Sequence, residues 1–280
     1  MKPRPPTGRR LVDLMVKTWS VVSALVGIGV LIWILSGVIT RGLGALNLNF
    51  FTQLPAPPGM PGGGVANAII GTIAMTLGAS LISVPIGLLS GIYLAEFGQE
   101  SKMADQSRFA ANVLMGMPSI IVGLFAYALV VVPLGHFSGY AGAVALAILM
   151  IPVITRTTED MLRLVPNTLR ESALALGAPR WKVTLAVVFR AAKAGLITGI
   201  LLAVARVSGE TAPLLFTALD SPYWVSSLSG PTPNLTVTIF NYAMSPYDDW
   251  VQLAWGASLV ITVGVLAFTL MARFVLRTRR

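Results

Sequence analysis

The sequence predicts an all-α polytopic membrane protein with six transmembrane helices. Composition is the first reason: 55% of its 280 residues are hydrophobic, only 11% are charged, and the mean hydropathy is +0.78. In soluble domains about a quarter of residues are charged. Distribution is the second: long apolar runs alternate with short charged segments, and a run of about 20 residues crosses the hydrocarbon core as one helix. The formal charge of +9 does not point to nucleic acid, because the basic residues lie between apolar runs instead of on one soluble face. Cysteine is absent, which excludes a disulfide framework and thiolate metal sites, and the single histidine, His136, cannot build an imidazole cluster.

Residues 1–18 read as a basic, proline-rich N-terminal tail, followed by a first transmembrane helix at 19–40 built on the run Trp19–Ile39. A signal peptide has a shorter apolar core, about 7–15 residues, and a small-residue cleavage site. This run has neither and is read as an uncleaved span. Residues 41–64, with the Pro- and Gly-rich stretch Pro55–Gly64, read as an irregular external loop and flexible connector. Residues 65–276 read as a core of five further spans, expected near Val65–Leu94, Phe109–Leu134, Ala141–Ile154, Ala194–Thr217 and Trp250–Leu276, and 277–280 as a tail. Pro85, Pro118 and Pro152 fall inside or at the rims of spans, where neighbouring helices can satisfy the freed carbonyls. Gly71, Gly78, Gly87 and Gly91 suit close helix packing.

Counting Lys and Arg orients the spans. Placing the N-terminus, the Phe97–Arg108 loop, the 156–193 loop and the C-terminal end from Arg273 onward in the cytoplasm puts 5, 2, 7 and 4 basic residues there, eighteen of the twenty. Arg41 is external, and the segment Asp220–Trp250 has Asp220, Asp248 and Asp249 but no Lys or Arg. Both termini are therefore expected in the cytoplasm. Arg206 is the remaining basic residue, and it falls inside a span.

The 156–193 loop carries seven basic residues and three acids between two apolar runs. Thr168 followed by Glu171 is the pattern of a capping box, Gly177 can supply a left-handed helix stop, and Pro179 can open a following helix at its first turn. Leu169, Ala173 and Leu176 can share one face. A rod of about eight residues is near 12 Å long and too short to be stable alone in water, so a partner or the ends of the spans must hold it.

Glu171, Ser172, Ala173 and Gly177 resemble the EAA loop of the permeases of ABC importers. Two positions depart from that pattern: Ser172 replaces the middle Ala, and Arg190 stands near where a Pro is often found. Ala205–Leu215 (ARVSGETAPLL), Met117–Leu124, Gly91–Glu96 and Ile151–Glu159 narrow the resemblance to the PstA-type permeases of phosphate-specific ABC importers. The resemblance runs from about Phe51 to Leu276. It implies a type I ABC importer permease fold in the inner membrane of a bacterium. It also implies a coupling role for Glu171, Ser172, Ala173 and Gly177, and four kinds of partner: a PstC-type permease, a PstB-type ATPase dimer, a PstS-type phosphate-binding protein and the lipid bilayer. No Gly-x-x-x-x-Gly-Lys-Ser/Thr motif is present, so no cofactor is expected on this chain, and ATP and magnesium belong to the partner ATPase.

Arg206 and Glu210 are charges buried in the fifth span, four residues apart and so on one helix face. A guanidinium at a helix centre costs about 2.5–3.5 kcal/mol on insertion scales, so it should face protein or water. Either the two form a bridge that stabilises the span or a subunit interface, or they line an anion path with hydroxyls from Ser208 and Thr211. In a path, the planar guanidinium suits phosphate oxygens. The carboxylate can accept the proton that phosphate retains at neutral pH and that sulfate lacks. The alternatives are a permease for molybdate, sulfate or phosphonate, or a secondary transporter or channel, which would need no docking loop. An enzyme is not supported, because Glu159 and Asp160 have no His or Cys companion in sequence.

Overall fold

The computed structural model describes residues 6–98 and 101–277. The expected tail ends, 1–5 and 278–280, lie outside the described residues. Among the described residues the regular elements are helical, apart from one isolated bridge between Pro55 and Gly63. In order they are α1 (Pro6–Leu43), α2 (Leu48–Thr52), α3 (Ala66–Ile92), α4 (Lys102–Gly116), α5 (Ser119–Ala126), α6 (Val132–Leu134) and α7 (Gly139–Arg163). Then come α8 (Asn167–Ala175), α9 (Arg180–Lys182), α10 (Phe189–Val207), α11 (Ala212–Leu215), α12 (Leu235–Ala243) and α13 (Asp248–Arg277). Wider π turns extend α3 through Tyr93–Phe97, join α5 to α6 through Tyr127–Val131, and join α9 to α10 through Val183–Val188. Five continuous segments are long and apolar enough to cross a membrane: Arg10–Leu43, Ala66–Phe97, Gly139–Arg163, Arg180–Val207 and Asp248–Met271. A sixth is broken, with Lys102–Gly116 and Ser119–Leu134 meeting at 108°.

That break divides the third span expected at Phe109–Leu134, and the first of its two helices starts earlier, at Lys102. The Pro118 ring disfavours helical dihedrals in the residue before it, and Met117 is extended at φ −75°, ψ 139°. The other boundaries also move. The fourth span does not stop near Ile154, because α7 carries buried Pro152 in its interior and runs on to Arg163. The fifth does not begin at Ala194 or reach Thr217. Its helix starts at Arg180, passes Arg190 without interruption because no proline stands there, and ends at Val207. The charged loop expected over 156–193 thus contracts to the stretch between Arg163 and Arg180. The first helix begins at Pro6, inside the expected tail, where a proline's missing N–H is harmless at a helix start. The 41–64 loop is no loose connector: Asn47 caps α2 by accepting from Phe50 N at 2.8 Å, Phe50 is fully buried, and Trp250 Nε1 donates to the Ala56 carbonyl at 3.2 Å.

The centre of the molecule is the α3–α7 pair. A Cβ added at Gly87 would lie 2.7 Å from Ile154 Cβ, and one at Gly91 2.4 Å from Thr158 Cβ, so only glycine permits this approach. Met75, Ala79, Leu146, Met150, Ile154, Ala203, Val207 and Leu214 form one buried core from α3, α7, α10 and α11. A second core at one end gathers Phe50, Val65, Leu235, Tyr242 and Leu253, and a third at the other end gathers Ala95, Leu162, Val183, Val188 and Leu196. The third core underlies α8.

Candidate functional site: an arginine–glutamate cavity and a docking helix

α10 stops one residue past Arg206, so Glu210 is not on a continuing helix face as its spacing suggested. It sits in the link between α10 and α11, with Glu210 N donating to Val207 O at 3.1 Å. Arg206 Nε lies 3.9 Å from Glu210 Oε1, a loose pairing, with the arginine side chain 65% and the glutamate 20% exposed. Both line a cavity of about 260 Å³ whose other walls are Leu114, Met115, Met117, Pro118 and Ser119 from the α4–α5 corner, Leu149 and Val153 from α7, and Val207. Two chain breaks therefore face each other across the cavity.

Ser208 does not join this group. Its hydroxyl donates to the Ala205 carbonyl at 2.9 Å, and its side chain lines a separate, apolar cavity of about 390 Å³ with Thr72, Thr76, Val204, Leu235 and Phe268. Thr211 precedes α11 at its N-cap position and is not among the residues lining this cavity. Ser119 was missed from sequence. Its signal was the Gly116–Ser119 turn, where a proline in an apolar run breaks the chain and brings a hydroxyl to the cavity wall.

The segment around α8 differs from its expected capping. Pro166, not Thr168, occupies the N-cap position of α8, and no side chain caps it. Thr168 lies inside the helix, and the capping box with Glu171 does not form. The C-terminal stop is as glycine requires: Gly177 has φ +81°, Ala178 N bonds Ala173 O at 3.2 Å and Gly177 N bonds Leu174 O at 2.9 Å, a Schellman motif. Pro179 stands one residue earlier than expected, at the N-cap of α9. Of the three residues expected on one face, Ala173 packs against the third core, while Leu169 and Leu176 are exposed. Glu171 and Ser172 are also exposed, and Ser172 Oγ donates to the Thr168 carbonyl at 2.7 Å.

Beside α8, Glu159 is fully buried and bonded to three guanidinium groups, Arg108 Nε at 2.7 Å, Arg163 Nη2 at 2.6 Å and Arg156 Nη1 at 3.1 Å. Glu159 is thus a bonded structural carboxylate. Among the described residues no group of three or more His, Cys, Asp or Glu could hold a metal ion.

Residues 83–280 match the family model described as binding-protein-dependent transport system inner membrane component. The phosphate transport system permease protein PstA of Yersinia pestis is 46% identical over 272 residues, covering 97% of this chain and 92% of that protein. The chain belongs to this permease family, among its PstA-type members. PstA of Haemophilus influenzae is 49% identical over 254 residues, covering 91% and 90%. An inward-facing structure of the MetNI methionine ABC transporter superposes with TM-score 0.66 at 19% identity, over 76% of this chain and 95% of that one. A bacterial ABC transporter that imports alginate gives TM-score 0.64 at 13% identity over 96% and 99%. The architecture is that of a type I ABC importer permease, an inner-membrane component. In that frame the α4–α5 corner and the α10–α11 link are built-in discontinuities next to the core, the setting in which irregular backbone lines a cavity in membrane proteins.

Proposed function

We propose that this chain is the permease subunit of an ATP-driven importer of inorganic phosphate, and that the Arg206–Glu210 cavity is its part of the anion path. The observation that carries the assignment of the path is the pairing of one exposed guanidinium and one carboxylate on a single cavity beside the buried core, about 20 Å of helix beyond Lys193. Arg206 offers parallel N–H donors to phosphate oxygens, and Glu210 accepts the proton of monohydrogen or dihydrogen phosphate. Their partial mutual neutralisation keeps the site weak, as conduction requires. The outward exposure of Arg206 fits a second permease of PstC type closing the path from the other side. Ser208 and Thr211 are assigned no contact with the anion while the link keeps this geometry.

The excess of basic residues at the α8 end supports a cytoplasmic location for that end and for both termini. There α8, with exposed Glu171 and Ser172 and the Gly177 turn, is the docking helix for a PstB-type ATPase dimer, which handles ATP and magnesium. A PstS-type phosphate-binding protein delivers substrate at the opposite end. The test is radiolabelled phosphate uptake by the reconstituted transporter carrying Arg206→Ala. Uptake is expected to vanish while all subunits copurify, and near-normal uptake in an assembled transporter would remove Arg206 from the path. Competition by sulfate, molybdate and phosphonate decides the oxyanion.

A further inference from the structure

The docking helix is bolted to more than its own chain neighbours. Arg170, on α8, lays its guanidinium against the ends of two other helices. Nη2 and Nε reach Glu96 Oε1 at 2.8 and 3.3 Å, and Nη2 also donates to the Leu162 carbonyl at 2.8 Å. Nη1 donates to the Val165 carbonyl and, at 3.2 Å, to Asn167 Oδ1. The two side chains are 19% and 10% exposed. Glu96 belongs to the π turn that ends α3, and Leu162 and Val165 flank the end of α7. The carbonyls at the end of α7 carry the negative end of its dipole, and the end of α3 contributes the Glu96 carboxylate, so one planar cation binds both helices together. A lysine, with a single compact charge, cannot span these acceptors.

The helices tied in this way reach the cavity. α7 supplies Leu149 and Val153 to its wall, and Val153 lies nine residues before Leu162, about 14 Å along the helix. α3 follows α7 through the Gly87 and Gly91 contacts. α10 supplies Arg206 and Val207 and is continuous with the docking segment through Arg180–Val207. α8 is therefore joined covalently to both walls, to α10 through Arg180–Val207 and to α7 through the three-residue link Leu164–Pro166, and the Arg170 guanidinium braces that short link and adds α3 to it.

We propose that Arg170 and Glu96 form a transmission clamp that carries displacement of the docking helix into α3 and α7, so that both walls of the cavity respond to the ATPase. Arg170 is a positioning residue, since it touches neither anion nor nucleotide. The clamp rests on the docking role given to α8 above. Broken, it leaves the docking surface in place but lets α8 pivot on the Leu164–Pro166 link instead of carrying α3 and α7 with it.

The experiment uses the complete transporter with its partner subunits in proteoliposomes. Retention of the ATPase, ATP hydrolysis and phosphate uptake are measured for Arg170→Gln, Arg170→Lys, Glu96→Gln and Gly177→Val. Arg170→Gln is expected to retain the ATPase and hydrolyse ATP within about twofold of the unsubstituted rate, while phosphate imported per ATP falls at least about tenfold. Glu96→Gln moves the same ratio less, because the carbonyl bonds persist, and Arg170→Lys is intermediate. A ratio within about twofold of normal in both Arg170→Gln and Glu96→Gln overturns the clamp. Loss of the ATPase from Arg170→Gln with a normal ratio in Glu96→Gln also overturns it, since Arg170 would then only support the docking surface. Should Arg170→Gln fail to assemble, the ratio in Glu96→Gln decides alone. Failure of the docking role shows separately, as full ATPase retention and normal uptake in Gly177→Val.

Discussion

Thr236 Oγ1 lies 3.0 Å from the backbone carbonyl oxygen of Glu210, a hydrogen bond from α12 to the link beyond α10. Asn234 Oδ1 is also 3.0 Å from that hydroxyl but already accepts from Val237 N at 2.9 Å. Either oxygen can take the single hydroxyl proton, and the bond to Glu210 is the one that ties α12 to the link. Since Glu210 N is bonded to Val207 O, the carboxylate projects from a backbone held on both sides. Thr236→Val keeps the shape and leaves the carbonyl without its donor, a loss of about 1–3 kcal/mol when the group is buried. Phosphate concentration for half-maximal uptake is expected to rise severalfold in Thr236→Val and to stay near normal in Thr236→Ser, measured on the reconstituted transporter.

The Gly177 turn sets the exit of α8, the proposed docking helix. At φ +81° a β-branched side chain is disfavoured by about 1–2 kcal/mol, while Asn tolerates the left-handed region better. Gly177→Val should unwind the Schellman motif and lower the amount of ATPase that copurifies, and Gly177→Asn should lower it less. Equal retention in the two variants would separate the turn from docking.

Glu159 is the charge at the centre of the Arg108, Arg156 and Arg163 cluster, and it is fully buried. Removing one partner of a buried ion pair costs about 3–5 kcal/mol. Water relieves part of that here, because the Arg156 and Arg163 side chains are 39% and 48% exposed, so Glu159→Gln is expected near the lower figure. Asp160, 47% exposed and 3.5 Å from Arg156, belongs to the surface class worth about 0–1 kcal/mol. Thermal unfolding in detergent should show a clear fall in Tm for Glu159→Gln and almost none for Asp160→Asn.

Asp220 lies beyond the membrane-spanning segments, between α11 and α12. Burial pushes its carboxyl above the ordinary value of 3.8, against the opposing pull of hydrogen bonds from Ser221 N, Asn241 and Thr238. A raised folded value means that the folded protein holds the proton more tightly than the unfolded chain. The stabilisation is complete below the ordinary value and is lost as pH rises through the raised one. The Tm of Asp220→Asn relative to the unsubstituted protein should increase across that window and then level off. A difference independent of pH would contradict this account.

Hydropathy and charge counting located the helices because bilayer insertion acts on runs of residues, and runs are visible in sequence. Their ends were less legible. α7 carries its charges Arg156, Glu159 and Arg163 on helical backbone because Arg108 comes from another helix to neutralise Glu159, a contact 51 residues away in sequence. The break at Met117–Pro118 was marked by its proline, but a proline inside a span is equally compatible with a mild kink, as Pro85 within α3 illustrates. The capping box failed for a local reason: Pro166 already sets the chain direction one residue before α8. Arg206 and Glu210 were recognisable as costly charges, whereas the departure of Ser208 depended on where α10 stops. The Arg170–Glu96 bond was out of reach, since nothing in two segments 74 residues apart indicates that they meet.

The central claim is that Glu210 reads the proton on phosphate while Arg206 holds its oxygens. Its most direct test is the uptake of radiolabelled phosphate and sulfate by the complete reconstituted transporter carrying Glu210→Gln, with binding protein supplied at a saturating level for each anion. The carboxamide can still donate to an oxyanion but no longer repels one that lacks a proton, so discrimination against sulfate should fall by about tenfold or more while assembly is unchanged. Unaltered phosphate-over-sulfate selectivity in the assembled Glu210→Gln transporter would contradict the claim.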